Sequence, residues 1–125
     1  EANSVILDAW RAARSETGSI RHPARSDRPE HALFKRDCSG GCGRVAVEFP
    51  GWDTAKSERF LDALELFGLG FSRGGYESLA IHCDPQLKRS HTTPRHDAAP
   101  LRFSGGREAR EDLTRALRPD FGACK

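Results

Sequence analysis

Residues 44–68 read RVAVEFPGWDTAKSERFLDALELFG, and the two halves of this stretch carry different periods. In Arg44–Phe49, Val45, Val47 and Phe49 fall on alternate positions, the two-residue period of a strand with one buried face. Pro50-Gly51 ends that strand. Asp53 or Thr54 then caps a helix, with Phe60, Leu61, Leu64 and Phe67 on its buried stripe and Gly68 near its end. A strand and an amphipathic helix in tandem set the pattern for the rest of the chain.

Working outward, Val5, Ile6, Ala9, Trp10 and Ala13 recur at three- and four-residue spacing and predict a helix over 2–14. It starts so near residue 1 that the domain is expected to begin earlier. Ile20-Arg21-His22 meets Pro23, which disfavours helix at His22 and suits a short extended segment. Residues 23–30 read as loop and 30–35 as a short helical turn. Beyond the central helix, Arg73-Gly74-Gly75 is a turn and 77–82 a second strand. Residues 84–100 are proline-containing and basic, so a long loop is expected. Leu101–Phe103 is a third strand and Glu108–Leu117 a last helix, its apolar face made of Ala109, Leu113, Ala116 and Leu117. Strands and helices mix without a strict βαβ rhythm. The expected fold is α+β: a small, mainly antiparallel sheet covered on one face by helices.

The length of 125 residues suits one domain, and 30% charged with 37% hydrophobic residues is an ordinary globular composition. A net charge of +2 gives no electrostatic case for nucleic acid or anionic membranes. No apolar run reaches the roughly 20 residues of a membrane span, and no secretory leader is legible at residue 1. A cytoplasmic location is therefore expected, with Cys38, Cys42, Cys83 and Cys124 as free thiols.

Other chemistries fare poorly. Cys38 and Cys42 with His82, Cys83 and His91 suggest zinc only on paper, because adjacent strand residues such as His82 and Cys83 point to opposite faces. A Cys–His hydrolase finds no local support. The basic loop from Lys88 to His96 has no aromatic residue for base stacking. The glycine-rich pieces lack nucleotide-loop spacing.

The specific information lies in words. Residues 66–79, LFGLGFSRGGYESL, resemble LFGxGFSWGGxESL of the cystathionine β-lyase family. Residues 31–37, HALFKRD, resemble its HALWKRDF, and His22-Pro23 matches the preceding HP. Residues 82–86, HCDPQ, are similar to its PCDPQ, and Thr92-Thr93-Pro94 falls where it has TATP. From Leu101 to Leu113 the chain follows LxRLHIGLEDxEDL, agreeing clearly at Arg102, Gly106, Glu108, Asp112 and Leu113. The matches run in order from about residue 3 to residue 117.

The resemblance implies that 1–125 is the smaller C-terminal domain of a fold-type I pyridoxal-phosphate (PLP) enzyme, without the large PLP-binding domain that would be its partner. In the complete enzyme it implies PLP and cleavage of L-cystathionine to L-homocysteine, pyruvate and ammonia. It implies that Arg102 anchors the substrate α-carboxylate and that Ser72 helps shape that pocket, with Arg73 beside it in place of the family's tryptophan. A planar guanidinium suits a carboxylate because it gives two parallel hydrogen bonds. Ser104-Gly105-Gly106 replaces HIG on the anchor strand. No lysine here stands in the family's Schiff-base motif, so neither PLP nor catalytic residues are expected in this chain. Two alternatives stay open: a sibling γ-synthase, γ-lyase or sulfhydrylase, and a stand-alone association domain. Loss of the large domain is expected to bare an apolar surface at helix 2–14, around Val5, Ile6 and Trp10, and near Phe71, and so to drive self-association.

Overall fold

The computed structural model describes residues 2–12, 15–71, 75–93 and 98–117, the side chains of 2–5 and 11 excepted. Four α-helices and five strands follow one another as α1 (Ala2–Ala12), β1 (Ile20–Arg21), α2 (His31–Asp37), β2 (Arg44–Pro50), α3 (Thr54–Asp62), β3 (Gly68–Leu69), β4 (Leu79–His82), β5 (Ala98–Ser104) and α4 (Arg110–Ala116). One sheet takes them in the order β1-β2-β5-β4-β3. It is antiparallel throughout except for the parallel β3–β4 pair. The expected small, mainly antiparallel sheet is therefore what forms. No described helix is long and apolar enough to cross a membrane.

The alternation in β2 decides the packing. Val45, Val47 and Phe49 are buried, as are Ala99, Leu101 and Phe103 on β5, and both sets meet helices α1 and α3. Trp10 sits at the centre, with its ring 5.1 Å from that of Phe49, 5.0 Å from Phe103 and 6.0 Å from Phe60. Helix α4 packs on α1 and adds Leu113 and Leu117 to the same core. Helix α2 buries no residue and takes no part in covering the sheet. At the start of α3 the Asp53 side chain accepts the Lys56 amide at 2.7 Å, the expected cap. Gly51, with φ of 74°, makes the turn that a side chain would strain.

Several boundaries differ from the sequence reading, each because a tertiary pairing claims the backbone. Helix α3 ends at Asp62, not near Phe67. The amides of Gly68 and Gly70 donate to the carbonyls of Ser78 and Ala80, so this stretch joins the sheet as an edge strand while Leu64 and Phe67 still enter the core. Strand β4 begins at Leu79 rather than Glu77, because Tyr76 and Ser78 bond to the segment after β5. The 84–100 loop opens with a 3-10 turn at Asp84–Gln86 and closes early, since Ala98, Ala99 and Pro100 pair with β2. The last helix begins at Arg110; Ala109 is its exposed cap residue, and Glu108 lies before it.

The expected bare stripe on the first helix is not there. Ile6 and Trp10 are fully buried, since the sheet itself takes that face. Ala13 and the Val5 side chain lie outside the described residues. The large apolar side chains that stay exposed include Leu69 and Phe71, at 62% and 68%, and Tyr76, at 72%.

Candidate functional site

The sheet's other face carries the polar chemistry. Cross-strand partners in an antiparallel sheet share a face. One row across four strands is therefore Arg21, Ala46, Arg102 and Ile81. Glu48 and Pro100 form the neighbouring row on the same face. The segment after β4 folds over this face, and Cys83, Leu87, Arg89, Thr92 and Thr93 close a cleft of about 360 Å³ with Arg102 in its wall.

The charges in the cleft are unequally matched. Glu48 takes a hydrogen bond from Arg21 on one carboxylate oxygen and from the Ser19 hydroxyl on the other, the latter at 2.7 Å. Its charge is thereby committed to Arg21. Arg102, half-buried on the central strand, is paired with no carboxylate among the described residues. Beside it the Cys83 thiol is half-buried, and burial pushes its pKa up against the opposing pull of the Arg102 charge and backbone. That keeps Cys83 a protonated thiol and a poor nucleophile.

A second group of contacts ties the ends of the cleft's strands together. Ser78, just before β4, donates its amide to Glu108 at 3.0 Å and its hydroxyl to the same carboxylate at 2.7 Å. The Gly106 amide donates to the Ser78 hydroxyl oxygen at 2.9 Å, and the Arg107 amide to the Tyr76 carbonyl at 2.9 Å. Burial works against ionisation of Glu108, but the hydrogen bonds from Ser78 and from its own backbone outweigh it and hold the carboxyl below the usual range.

Of the site residues expected from the sequence, Arg102 stands on β5 facing the cleft. Ser72 and Arg73 lie outside the described residues. The sequence reading missed the Ser78–Glu108 pair and the Arg21–Glu48 pair. Each joins residues 27 or 30 positions apart, so no local pattern announces them. Among the described residues no three His, Cys, Asp or Glu side chains come together where they could hold a metal ion. Nor does a described lysine line the cleft of Arg102: Lys56 lies over the Trp52 ring at 4.9 Å, and Lys35 and Lys88 are exposed. The described residues therefore do not fit a PLP Schiff base.

The model of the Cys/Met metabolism PLP-dependent enzyme family matches residues 1–121. A putative cystathionine beta-lyase of Rhizobium johnstonii is 36% identical over 129 aligned positions, covering 98% of this chain and 32% of the relative. A cystathionine gamma-lyase of Mus musculus is 38% identical over 92% of this chain and 30% of its own length. Among solved structures, a cystathionine gamma lyase of Micromonospora echinospora superposes with a TM-score of 0.81 at 26% identity, covering 97% of this chain and 32% of that one. The chain thus spans about a third of the length of each of these three proteins.

Proposed function

This chain belongs to the Cys/Met metabolism PLP-dependent enzyme family, and on that premise we propose that it is the small C-terminal domain of a carbon–sulfur lyase acting on L-cystathionine. Its contribution is the pocket for the substrate α-carboxylate, with Arg102 as anchor and Ser72 and Arg73 as the further substrate-binding residues. The observation that carries this reading is the half-buried Arg102 guanidinium, unmatched by any carboxylate among the described residues and facing a cleft large enough for an amino acid. A guanidinium in a partly dry cleft holds a carboxylate through two charge-assisted hydrogen bonds and fixes its orientation.

PLP, which supplies the electron sink for breaking the C–S bond, is proposed to be held by the remaining two-thirds of the protein, the partner of this domain. This chain's residues would bind and orient the substrate carboxylate and exclude water from the cleft; they carry no proton transfer. The chain by itself is proposed to be inactive, to be cytoplasmic, and to bind neither nucleic acid nor membrane. Self-association of the isolated chain is proposed to use the exposed Leu69, Phe71 and Tyr76.

The β-lyase direction rests on the HALFKRD and CDPQ words and on the Rhizobium relative's name. The mouse relative favours the γ-lyase direction as the second reading. Assaying the complete protein with L-cystathionine separates them. Pyruvate with homocysteine supports β-cleavage, and 2-oxobutyrate with cysteine supports γ-cleavage. No turnover of cystathionine would overturn the lyase reading.

A further inference from the structure

Residues 88–93 lie over the cleft of Arg102 and are held by little of their own. On one side Leu87 is fixed by its amide, which donates to the Asp84 carbonyl at 3.2 Å. On the other, Ala98 is fixed by its pairing with Pro50 on β2. Residues 88–93 form no helix or strand and are exposed, and among the described residues they have no hydrogen-bond or ion-pair partner. Yet Arg89, Thr92 and Thr93 line the same cleft as Arg102. Segments with so few contacts stand at the low-stability end of a fold, from which lids over binding sites are drawn.

The charges make this segment responsive to a ligand. Arg21, Glu48, Arg89 and Arg102 are the charged side chains that line the cleft. Arg21 and Glu48 neutralise each other. Arg89 and Arg102 are each paired with no carboxylate among the described residues. Two like charges on one cleft repel, which favours the outward, solvated position of Arg89. An anion on Arg102 reverses that sign. A carboxylate has about four acceptor positions, so one guanidinium leaves room for a second. Arg102 stands on the central strand β5, whereas Arg89 stands in an exposed, irregular segment, so Arg89 is the one that moves.

We propose that residues 88–93 form a ligand-gated lid and that Arg89 is its latch. When an amino-acid carboxylate sits on Arg102, Arg89 turns inward, donates to the same carboxylate and draws the segment down over it. The inference rests on Arg102 being the carboxylate anchor, and it adds the device that shuts water out of the cleft.

The test uses the 125-residue chain, ¹⁵N-labelled, titrated at pH 7 with L-alanine, L-alaninamide and inorganic phosphate. The arginine Nε–H signals and the solvent exchange of the amides of 88–93 are followed. L-Alanine is expected to move Arg102 and Arg89 along one saturation curve and to slow exchange across 88–93 at least about threefold. L-Alaninamide, which lacks the carboxylate, should move neither. Arg89→Gln, at an exposed position, should keep the fold and the Arg102 response, abolish the slowing, and weaken alanine binding about three- to tenfold. Arg89→Lys should restore part of both effects, since it keeps the charge without the planar fork. Arg102 moving alone, with Arg89→Gln binding as tightly as wild type, would overturn the lid and leave the anchor standing. Arg89 moving while Arg102 stays still would overturn both. Phosphate moving both arginines while alanine moves neither would overturn the carboxylate as the gating ligand.

Discussion

Ser78 is held by both oxygens of one carboxylate: its amide reaches Oε1 of Glu108 at 3.0 Å and its hydroxyl reaches Oε2 at 2.7 Å. The pair joins the segment just before β4 to the segment that follows β5, the strand of Arg102. It therefore fixes where both segments stand relative to the cleft.

Glu108→Gln should destabilise the fold by about 1–3 kcal/mol, because it removes the charge from two charge-assisted hydrogen bonds and leaves one Ser78 donor facing an amide. Ser78→Ala should cost about 1 kcal/mol, and the double variant should show coupling of at least about 0.5 kcal/mol. Urea unfolding of the four proteins measures this; additive losses would show that the contacts are incidental.

The same pair predicts a pH dependence. The folded-state carboxyl of Glu108 lies below its usual value, so its contribution is present above the ordinary carboxylate pKa and is lost as pH falls through the lowered one. The stability gap between the wild-type chain and Glu108→Gln should therefore be widest near neutrality and close in acid. A gap that stays constant from neutral to strongly acidic pH would contradict this sign.

Gly106→Ala should be at least as damaging as Ser78→Ala. A Cβ there would lie 2.3 Å from the Tyr76 carbonyl oxygen and 2.6 Å from the Glu77 carbonyl carbon, backbone atoms that cannot swing aside. A loss of about 1–3 kcal/mol is expected from forced overpacking, read as a fall in Tm. An unchanged Tm would show that the two segments are not in close contact.

Much of this architecture was legible in the sequence and some was not, for physical reasons. The alternation of Val45, Val47 and Phe49 and the cap at Asp53 are local signals, and both elements formed where they were read. The end of α3 was not legible: Leu64 and Phe67 continue the helical stripe, and only pairing with β4, itself set by distant contacts, pulls Gly68 into a strand. Trp10 was read correctly as apolar stripe and wrongly as exposed, because periodicity shows which face is apolar but not what covers it. At the candidate site, Arg102 came from word resemblance alone. The Arg21–Glu48 and Ser78–Glu108 pairs carry no local signal, since only the fold makes them neighbours.

Trp10→Ala should cost about 3–5 kcal/mol, the range for deleting a fully buried large aromatic. Phe71→Ser should instead leave thermal stability nearly unchanged and lower self-association in light scattering, since that side chain is 68% exposed. The reverse pattern would place the solvent boundary on the wrong side of the sheet.

Alkylation should rank the thiols by exposure. Cys38 and Cys42 are exposed, whereas Cys83 is partly covered and burial raises its pKa. With iodoacetamide at neutral pH, Cys83 should be the slowest of the three by mass spectrometry. Preferential labelling of Cys83 would mean that the cleft activates it, contrary to the assignment of a protonated bystander.

The central claim is that Arg102 is a carboxylate anchor, and titration of the labelled chain with L-alanine tests it most directly. The account predicts a saturable shift of the Arg102 Nε–H signal in the wild-type chain, and alanine binding, read by calorimetry, that is weaker in Arg102→Lys and absent in Arg102→Gln, with both variants folded. A still Arg102 signal while the Lys88–Arg89 segment responds, or undiminished binding by Arg102→Gln, would contradict it.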